Sequence, residues 1–424
     1  MGRRDVEGHR LRIFFWHGYL LGGTGSNIYA RQLAREWSRG GHDVTVFSQE
    51  ARPEQYDLGE ATAVRPDVGG LLPVFVLDRY EGYEVKRVQE CTRDELADWV
   101  EANASAIRER GATDLLYVNH VLLGGAVGAA SSAPYVVKAH GSELEYSMRG
   151  NAELSAWGAE VLAGAAATVV GSEHIRTVVR EVCGAVDRVH EIPPGVDVEL
   201  WRPAPKAEAL AELVAESQFD APNVGNANER LPDARNALRL SAFLAGDRPT
   251  VVYYGKLIEN KGVQVLLEAL RGLDARAVIV GFGDYRAALE ARAAGLDVLF
   301  TGPLEHRHLV HLLAFADVAV VPSIFPEAFG MVAAEAAATG CPPVVADHSG
   351  LAEVARGLEE EYPPGRQGLA SFPSGDAAAL RERLEAVLAL RGGEREELRA
   401  AARRAAVERW SWGSVAGRIL AIVE

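Results

Sequence analysis

Pro322-Ser-Ile-Phe-Pro-Glu-Ala-Phe-Gly-Met-Val-Ala-Ala-Glu-Ala-Ala-Ala-Thr-Gly340 is the stretch whose reading decides the fold. Asp317 to Val321 precedes it, a short apolar run rich in β-branched residues, as a buried parallel strand requires. Val332 to Thr339 is alanine-rich and stops at Gly340, which predicts a helix. Between strand and helix lie Glu327 and Gly330, and Glu335 stands inside the helix. A strand, a glycine turn and a helix start offer unpaired N–H groups and a positive dipole end to an anion. Carboxylates repel phosphate, so Glu327 and Glu335 are better matched to hydroxyl donors. An anion joined to several hydroxyls describes a sugar nucleotide. The plainer reading is an ordinary βα turn with a carboxylate on the helix dipole.

Working outward, the second half repeats this alternation. Thr250 to Tyr254 is a strand, and Gly255-Lys-Leu-Ile-Glu-Asn-Lys-Gly262 leads into a helix from Val263 to Arg271. Lys256 and Lys261 before a helix start suit a diphosphate, or else are two solvated surface lysines. Ala275 to Val280 runs into Gly281-Phe-Gly283, and Val298 to Thr301 into Gly302-Pro-Leu304. Residues 204–247 are polar and alanine-rich and read as an insertion with no assigned chemistry.

The first half opens with a strand, Arg12 to His17, and a turn, Gly18-Tyr-Leu-Leu-Gly-Gly-Thr-Gly25. A helix from Ser26 to Arg39 and a strand from Asp43 to Ser48 complete a βαβ unit. Gln49 occupies the place of the ribose-binding acid, so this is no dinucleotide fingerprint. Residues 51–83 read as one long loop containing Tyr80 and Tyr83. A helix is expected over 93–110. The strand Asp114 to Val118 then ends in Asn119-His120, and Pro134 to Ala139 ends in His140-Gly141. Polar residues at these strand ends sit where ligands bind, or cap helices.

The length of 424 residues favours two domains, and 48% apolar content fills two cores. No apolar run approaches the roughly 18 residues of a membrane span. The basic start has no apolar signal segment, so export is not expected. Cys91, Cys183 and Cys341 have no metal spacing and suit a reducing compartment. A net charge of −15 argues against nucleic-acid binding. The expected location is the cytoplasm, with peripheral attachment to a membrane left open.

Glu327 and Glu335 with Phe329-Gly330 between them resemble the signature of retaining GT-B glycosyltransferases, nearest to family 4, which includes sucrose synthase and the phosphatidylinositol mannosyltransferases. Lys261-Gly262 resembles that family's diphosphate loop, with Lys256 where arginine is usual, which keeps charge but loses the bidentate fork. Pro193-Pro-Gly-Val-Asp197 with Trp201-Arg-Pro203 resembles its hinge, Pro194 replacing asparagine. The resemblance implies an α/β GT-B fold, two Rossmann-like domains facing across a central cleft. Its domains would be 1–197 for the acceptor, a linker and insertion over 198–249, and 250–409 for the nucleotide sugar, with a final helix over 410–424 returning to the first.

It also implies roles. Glu335 accepts from the ribose, and Glu327 with Phe329, Gly330, Met331 and Val332 holds the sugar. Lys256 and Lys261 neutralise the diphosphate, and Gly255, Gly281, Gly283 and Leu304 line the donor. Gly23, Thr24 and Gly25 close over the diphosphate, His140 approaches the donor sugar, and Asn119 and His120 are candidates for the acceptor. A UDP- or GDP-linked hexose would pass with retention to an unidentified small-molecule, glycan or lipid hydroxyl, with no cofactor and no metal. The rivals are a GT-B epimerase, which consumes donor without acceptor, and a binding protein that never turns over. A nicotinamide dehydrogenase is disfavoured by the first glycine turn.

Overall fold

A computed structural model describes residues 10–75 and 80–423. The basic start up to residue 9 and part of the long loop, 76–79, lie outside the described residues. The chain divides into unit 1, residues 1–194 with 415–424, and unit 2, residues 195–414.

Unit 1 is built on strands β1 (Arg12–Trp16), β2 (Asp43–Phe47), β3 (Thr62–Val64), β6 (Leu115–Asn119), β7 (Tyr135–Lys138), β8 (Ala167–Val170) and β9 (Val189–Glu191). They lie in the order β3-β2-β1-β6-β7-β8-β9, all parallel. Every residue of β6 and β7 is buried, as a sheet covered by helices on both faces demands. The long loop of the sequence reading contains more order than expected. Besides β3 it holds β4 (Leu71–Val74), which pairs with β5 (Glu84–Arg87) in a two-stranded parallel ribbon. Gln49 is buried under this segment, where it accepts from the Tyr83 hydroxyl at 2.6 Å and donates to the Pro66 carbonyl.

A helix over Leu123–Ala130 is unforeseen in the sequence, because its LGGAVGAA composition disfavours helix in isolation. Tertiary packing overrides that propensity: a Cβ on Gly124 would lie 1.9 Å from the Asn119 carbonyl oxygen, so only glycine lets this helix sit so close to β6.

Unit 2 contains β10 (Thr250–Tyr254), β11 (Arg276–Val280), β12 (Val298–Phe300), β13 (Val318–Val321), β14 (Pro343–Ala346) and β15 (Ser371–Phe372). Their order is β12-β11-β10-β13-β14-β15, again all parallel. The alanine-rich helix Met331–Ala338 packs its small side chains beneath the long helix Gly392–Trp410. Arg403 from that long helix donates to the carbonyls of Ala338, Trp201 and Val198, tying the chain just after the unit boundary to the helix end.

The segment 204–247 packs within unit 2. Its helix Lys206–Glu216 is anchored by Lys206 Nζ on Asp317 Oδ1 at 2.7 Å. Its second helix, Asn236–Phe243, ends on the buried Arg276, whose guanidinium collects the carbonyls of Phe243, Leu244 and Ala245. Among the described residues no helix is long and apolar enough to cross a membrane.

Candidate active site

Each sheet reverses its winding once, between β1 and β6 in unit 1 and between β10 and β13 in unit 2. At such a point the loops leaving the strand ends turn to opposite faces and open a crevice. The residues singled out from sequence gather at these two places.

In unit 2 the loop after β10 makes a tight turn over Glu259–Lys261 and ends at Gly262 with φ +69°. A Cβ there would lie 1.8 Å from the Pro322 carbonyl oxygen, so the absence of a side chain lets the lysine loop rest on the loop after β13. The Ile324 N–H donates to the Asn260 carbonyl at 3.0 Å across the same seam. This brings Lys261 Nζ into an ion pair with Glu327 Oε1. Lys256 is exposed, and its carbonyl accepts from the Tyr253 hydroxyl at 2.8 Å.

Glu327 has its backbone clamped on both sides. Its N–H donates to Ser349 Oγ at 2.9 Å, and its carbonyl accepts from the Gly350 N–H at 3.0 Å. His348 reaches the Ser323 carbonyl at 2.7 Å and braces the same loop. Phe329 turns its ring inward, edge-on to Trp410 at 6.0 Å, so that only its backbone is left for a ligand. Gly330 precedes the helix Met331–Ala338, whose first residues Met331 and Val332 are half-buried.

Glu335 stands one turn further along that helix. The Tyr254 hydroxyl meets its Oε2 at 2.5 Å and the Val332 carbonyl at 3.0 Å. Burial pushes the Glu335 carboxyl up to about 7, with Tyr254 working against that rise. With the proton on Glu335, the carboxyl donates to the tyrosine oxygen and the tyrosine donates on to Val332. Once ionised, the carboxylate is ready to accept hydroxyls.

The glycine turn after β11 docks on the lysine loop: the Leu257 N–H donates to the Phe282 carbonyl at 2.8 Å, and Gly255 bonds back to Val280. The Gly281 N–H donates to the Gly302 carbonyl at 3.0 Å, which sets the Gly281–Gly283 turn beside Gly302-Pro303-Leu304. The segment with no assigned chemistry meets these turns. Arg230 lies over the Phe282 ring at 5.5 Å, and the Asp233 N–H donates to the Thr301 carbonyl at 2.8 Å. Asp233 is buried and held by Arg286 at 2.6 and 2.8 Å and by Arg239 at 3.3 Å.

In unit 1, Gly23, Thr24 and Gly25 form an exposed turn, and Thr24 caps the helix Gly25–Arg39. Asn119 ends β6, His120 follows with φ +74°, and His140 follows β7 by two residues. The His120 and His140 rings lie 4.8 Å apart. Asn119 and His120 were expected to face an acceptor; they are 0% and 3% exposed, and the Asn119 amide is engaged by His17 and His140.

Burial holds the imidazoles of His120 and His140 well below the usual histidine range. Glu143 is fully buried and accepts from the N–H groups of Val121, Leu122 and His140. Burial pushes its carboxyl up to about 8 against those bonds. Tyr254, Ser349, His17 and Asn27 escaped the sequence reading. The signal available for Tyr254 and His17 was a polar group at or just beyond a strand end. Among the described residues, no three His, Cys, Asp or Glu side chains converge as metal ligands.

Residues 23–200 match the family model described as Glycosyltransferase Family 4, and residues 235–406 match Glycosyl transferases group 1. A D-inositol 3-phosphate glycosyltransferase of Xylanimonas cellulosilytica is 29% identical over 421 residues, covering 93% of this chain and 90% of the relative. A phosphatidyl-myo-inositol mannosyltransferase of Mycobacterium leprae is 33% identical over 229 residues, 51% of this chain and 58% of the relative. Sucrose-phosphate synthase of Thermosynechococcus elongatus shares the fold, with a TM-score of 0.61 at 21% identity over 97% of this chain and 98% of that one.

Two Rossmann-like units carrying a lysine loop and two carboxylates at a sheet's switch point define a GT-B glycosyltransferase, an enzyme drawing its sugar from a nucleotide sugar. The chain belongs to family 4 of these enzymes.

Proposed function

We propose that the enzyme moves a hexose from a UDP- or GDP-linked donor to a hydroxyl acceptor with retention of anomeric configuration. The observation that carries this reading is the ion pair of Lys261 with Glu327, formed where two loops meet at a switch point, with Glu335 on the adjoining helix. In the free protein Lys261 is balanced by Glu327. A donor diphosphate gives the ammonium a stronger partner and releases the carboxylate oxygens to accept sugar hydroxyls. Glu335 accepts from the ribose, and the backbone of Phe329, Gly330 and Met331 borders the sugar.

The acceptor oxygen bonds to the anomeric carbon on the face the phosphate leaves. The carbon–phosphate oxygen bond breaks, and the acceptor's proton passes to the departing phosphate oxygen. Lys256 and Lys261 offset the charge that grows there, so their effect is strongest in the transition state. This division of labour needs no metal. The family relatives named for inositol phosphate and phosphatidylinositol acceptors support a polyol or its lipid as the acceptor class. In the location proposed, the enzyme is cytoplasmic and meets a lipid acceptor at the membrane surface.

The test is a thermal-shift panel of UDP-glucose, UDP-N-acetylglucosamine and GDP-mannose, followed by nucleoside diphosphate release with polyol acceptors in the presence of EDTA. A binder at 100 times its Kd adds about 2.7 kcal/mol of stability. Failure of every nucleotide sugar to bind, or turnover that EDTA abolishes, would count against the reading.

A further inference from the structure

Unit 1 contains a chain of side-chain hydrogen bonds that the proposed transfer does not use, and its direction can be worked out from one end. The Gly22 carbonyl can only accept. Asn27 Nδ2 donates to it. The Asn27 carbonyl therefore faces the other way, where it meets His17 Nε2 at 2.9 Å. An amide oxygen can only accept as well, so His17 carries its hydrogen on Nε2.

A neutral imidazole with hydrogen on Nε2 has a lone pair on Nδ1. Asn119 Nδ2 donates to that lone pair at 3.0 Å. The remaining Asn119 oxygen meets His140 Nε2 at 3.2 Å, and so His140 also carries its hydrogen on Nε2. Turning over the Asn27 amide would set two oxygens against each other at Gly22, and turning over the Asn119 amide would set its oxygen against the His17 Nδ1 lone pair, acceptor against acceptor. His17, Asn27 and Asn119 are all buried, so water offers no substitute partner.

We infer that Asn27, His17 and Asn119 are positioning residues: a one-way relay, anchored on the Gly22 carbonyl, that fixes His140 as the neutral imidazole with hydrogen on Nε2. The groups facing His140 agree with a neutral ring. They are Asn119, the edge of Tyr29 at 5.6 Å, the His120 ring, Lys138, and Glu143, which accepts from the His140 backbone N–H and whose carboxyl burial pushes up to about 8. Besides burial, His120, Lys138 and His17 disfavour a second proton. Burial lowers His17 to about 4 and Lys138 to about 7.

The relay joins the ends of β1, β6 and β7 to the glycine turn at 22–25. A ring so held cannot protonate a leaving phosphate, which leaves the acceptor hydroxyl as the proton source. This use of the relay rests on the proposed transfer; the tautomer is a property of the free protein.

The test begins with the full chain labelled with nitrogen-15 at histidine and no ligand. Long-range proton–nitrogen correlation spectra are recorded from pH 5.5 to 8.5, with His17→Gln and His140→Gln to assign the rings. His17 and His140 should both show hydrogen on Nε2 and no titration over that range. Asn119→Asp sets a carboxylate against His17 Nδ1 while the Asn27 oxygen still faces Nε2, so His17 should keep its Nε2 hydrogen and take a second on Nδ1. Asn119→Ala should lower kcat about tenfold or more while the donor KM stays within about threefold.

A wild-type His140 with hydrogen on Nδ1, or one titrating near its ordinary value, overturns the relay without any variant needing to fold. Loss of the His17 Nε2 hydrogen in Asn119→Asp overturns it too. Spectra as described in a protein that turns over no nucleotide sugar would uphold the relay and refute the proposed function.

Discussion

Gly262→Ala tests the seam on which the unit 2 site depends. Gly262 lies at φ +69°, and a Cβ would stand 1.8 Å from the Pro322 carbonyl oxygen. Real Cβ atoms keep at least 3.0 Å from such neighbours, so the two loops must part by 3.0 − 1.8 = 1.2 Å or more. The left-handed backbone alone costs alanine about 1–2 kcal/mol. In a domain the size of unit 2 each kcal/mol moves Tm by about 2–4 °C, which gives a fall of about 2–8 °C before the clash is added. Displacing Lys261 from Glu327 by about 1 Å should reduce kcat/KM about 100-fold.

Gly272→Ala is the matching control, because Gly272 has φ +80° with nothing within 4 Å of its Cβ position. It carries the backbone penalty without the clash, so its Tm should fall while its activity stays unchanged. Calorimetric melting and nucleoside diphosphate release on both variants decide the matter. Equal melting temperatures in the two, together with Gly262→Ala activity within about threefold of the wild type, would refute the seam as described.

Glu327→Ala should remove transfer by about 100-fold or more while Tm changes little, because its ion pair with Lys261 is partly exposed and worth at most about 1 kcal/mol. Near wild-type turnover of that variant would be decisive against the assignment. Glu335 has its folded-state pKa raised to about 7, so its proton stabilises the fold fully below the unfolded value near 4.5, and that contribution declines as pH rises toward 7. Ribose hydroxyls favour the ionised form, so nucleoside diphosphate affinity measured by titration calorimetry should rise from pH 6 to about 7.5 and then level, and Glu335→Gln should flatten the profile. Asp233→Ala removes the carboxylate that Arg286 and Arg239 share beside the Gly302 turn, leaving them Glu290 and the Phe300 carbonyl, and should destabilise by about 2 kcal/mol, read as a lower midpoint in urea.

The features legible in the sequence are those written locally. Strand, glycine turn and helix follow one another within a few residues around Gly255 to Val263 and Val321 to Met331, so both loops of the unit 2 site could be placed. The helix Leu123–Ala130 could not, because its three glycines lower helix propensity and take their meaning from neighbours outside it: Gly124 from the Asn119 carbonyl, Gly125 from Val161 and Val137, Gly128 from Tyr135. The 204–247 segment read as a linker, since Lys206 and Asp233 acquire meaning only beside Asp317 and Arg286. The relay was invisible for the same reason. His17, Asn27, Asn119 and His140 each look like ordinary strand-end or helix residues until the fold sets them in line.

The return of residues 415–423 to unit 1 bears on synthesis. Val415 and Ile419 are fully buried there, the Ala416 carbonyl accepts from the Trp37 indole at 3.2 Å, and Arg418 donates to the Glu191 carbonyl at 2.7 Å. Domains commonly mature in the order the ribosome makes them. Here the half translated first keeps an open socket until the half translated second has emerged. The earlier half therefore finishes last, and a ribosome stalled before Val415 leaves Trp37 and its neighbours without their cover.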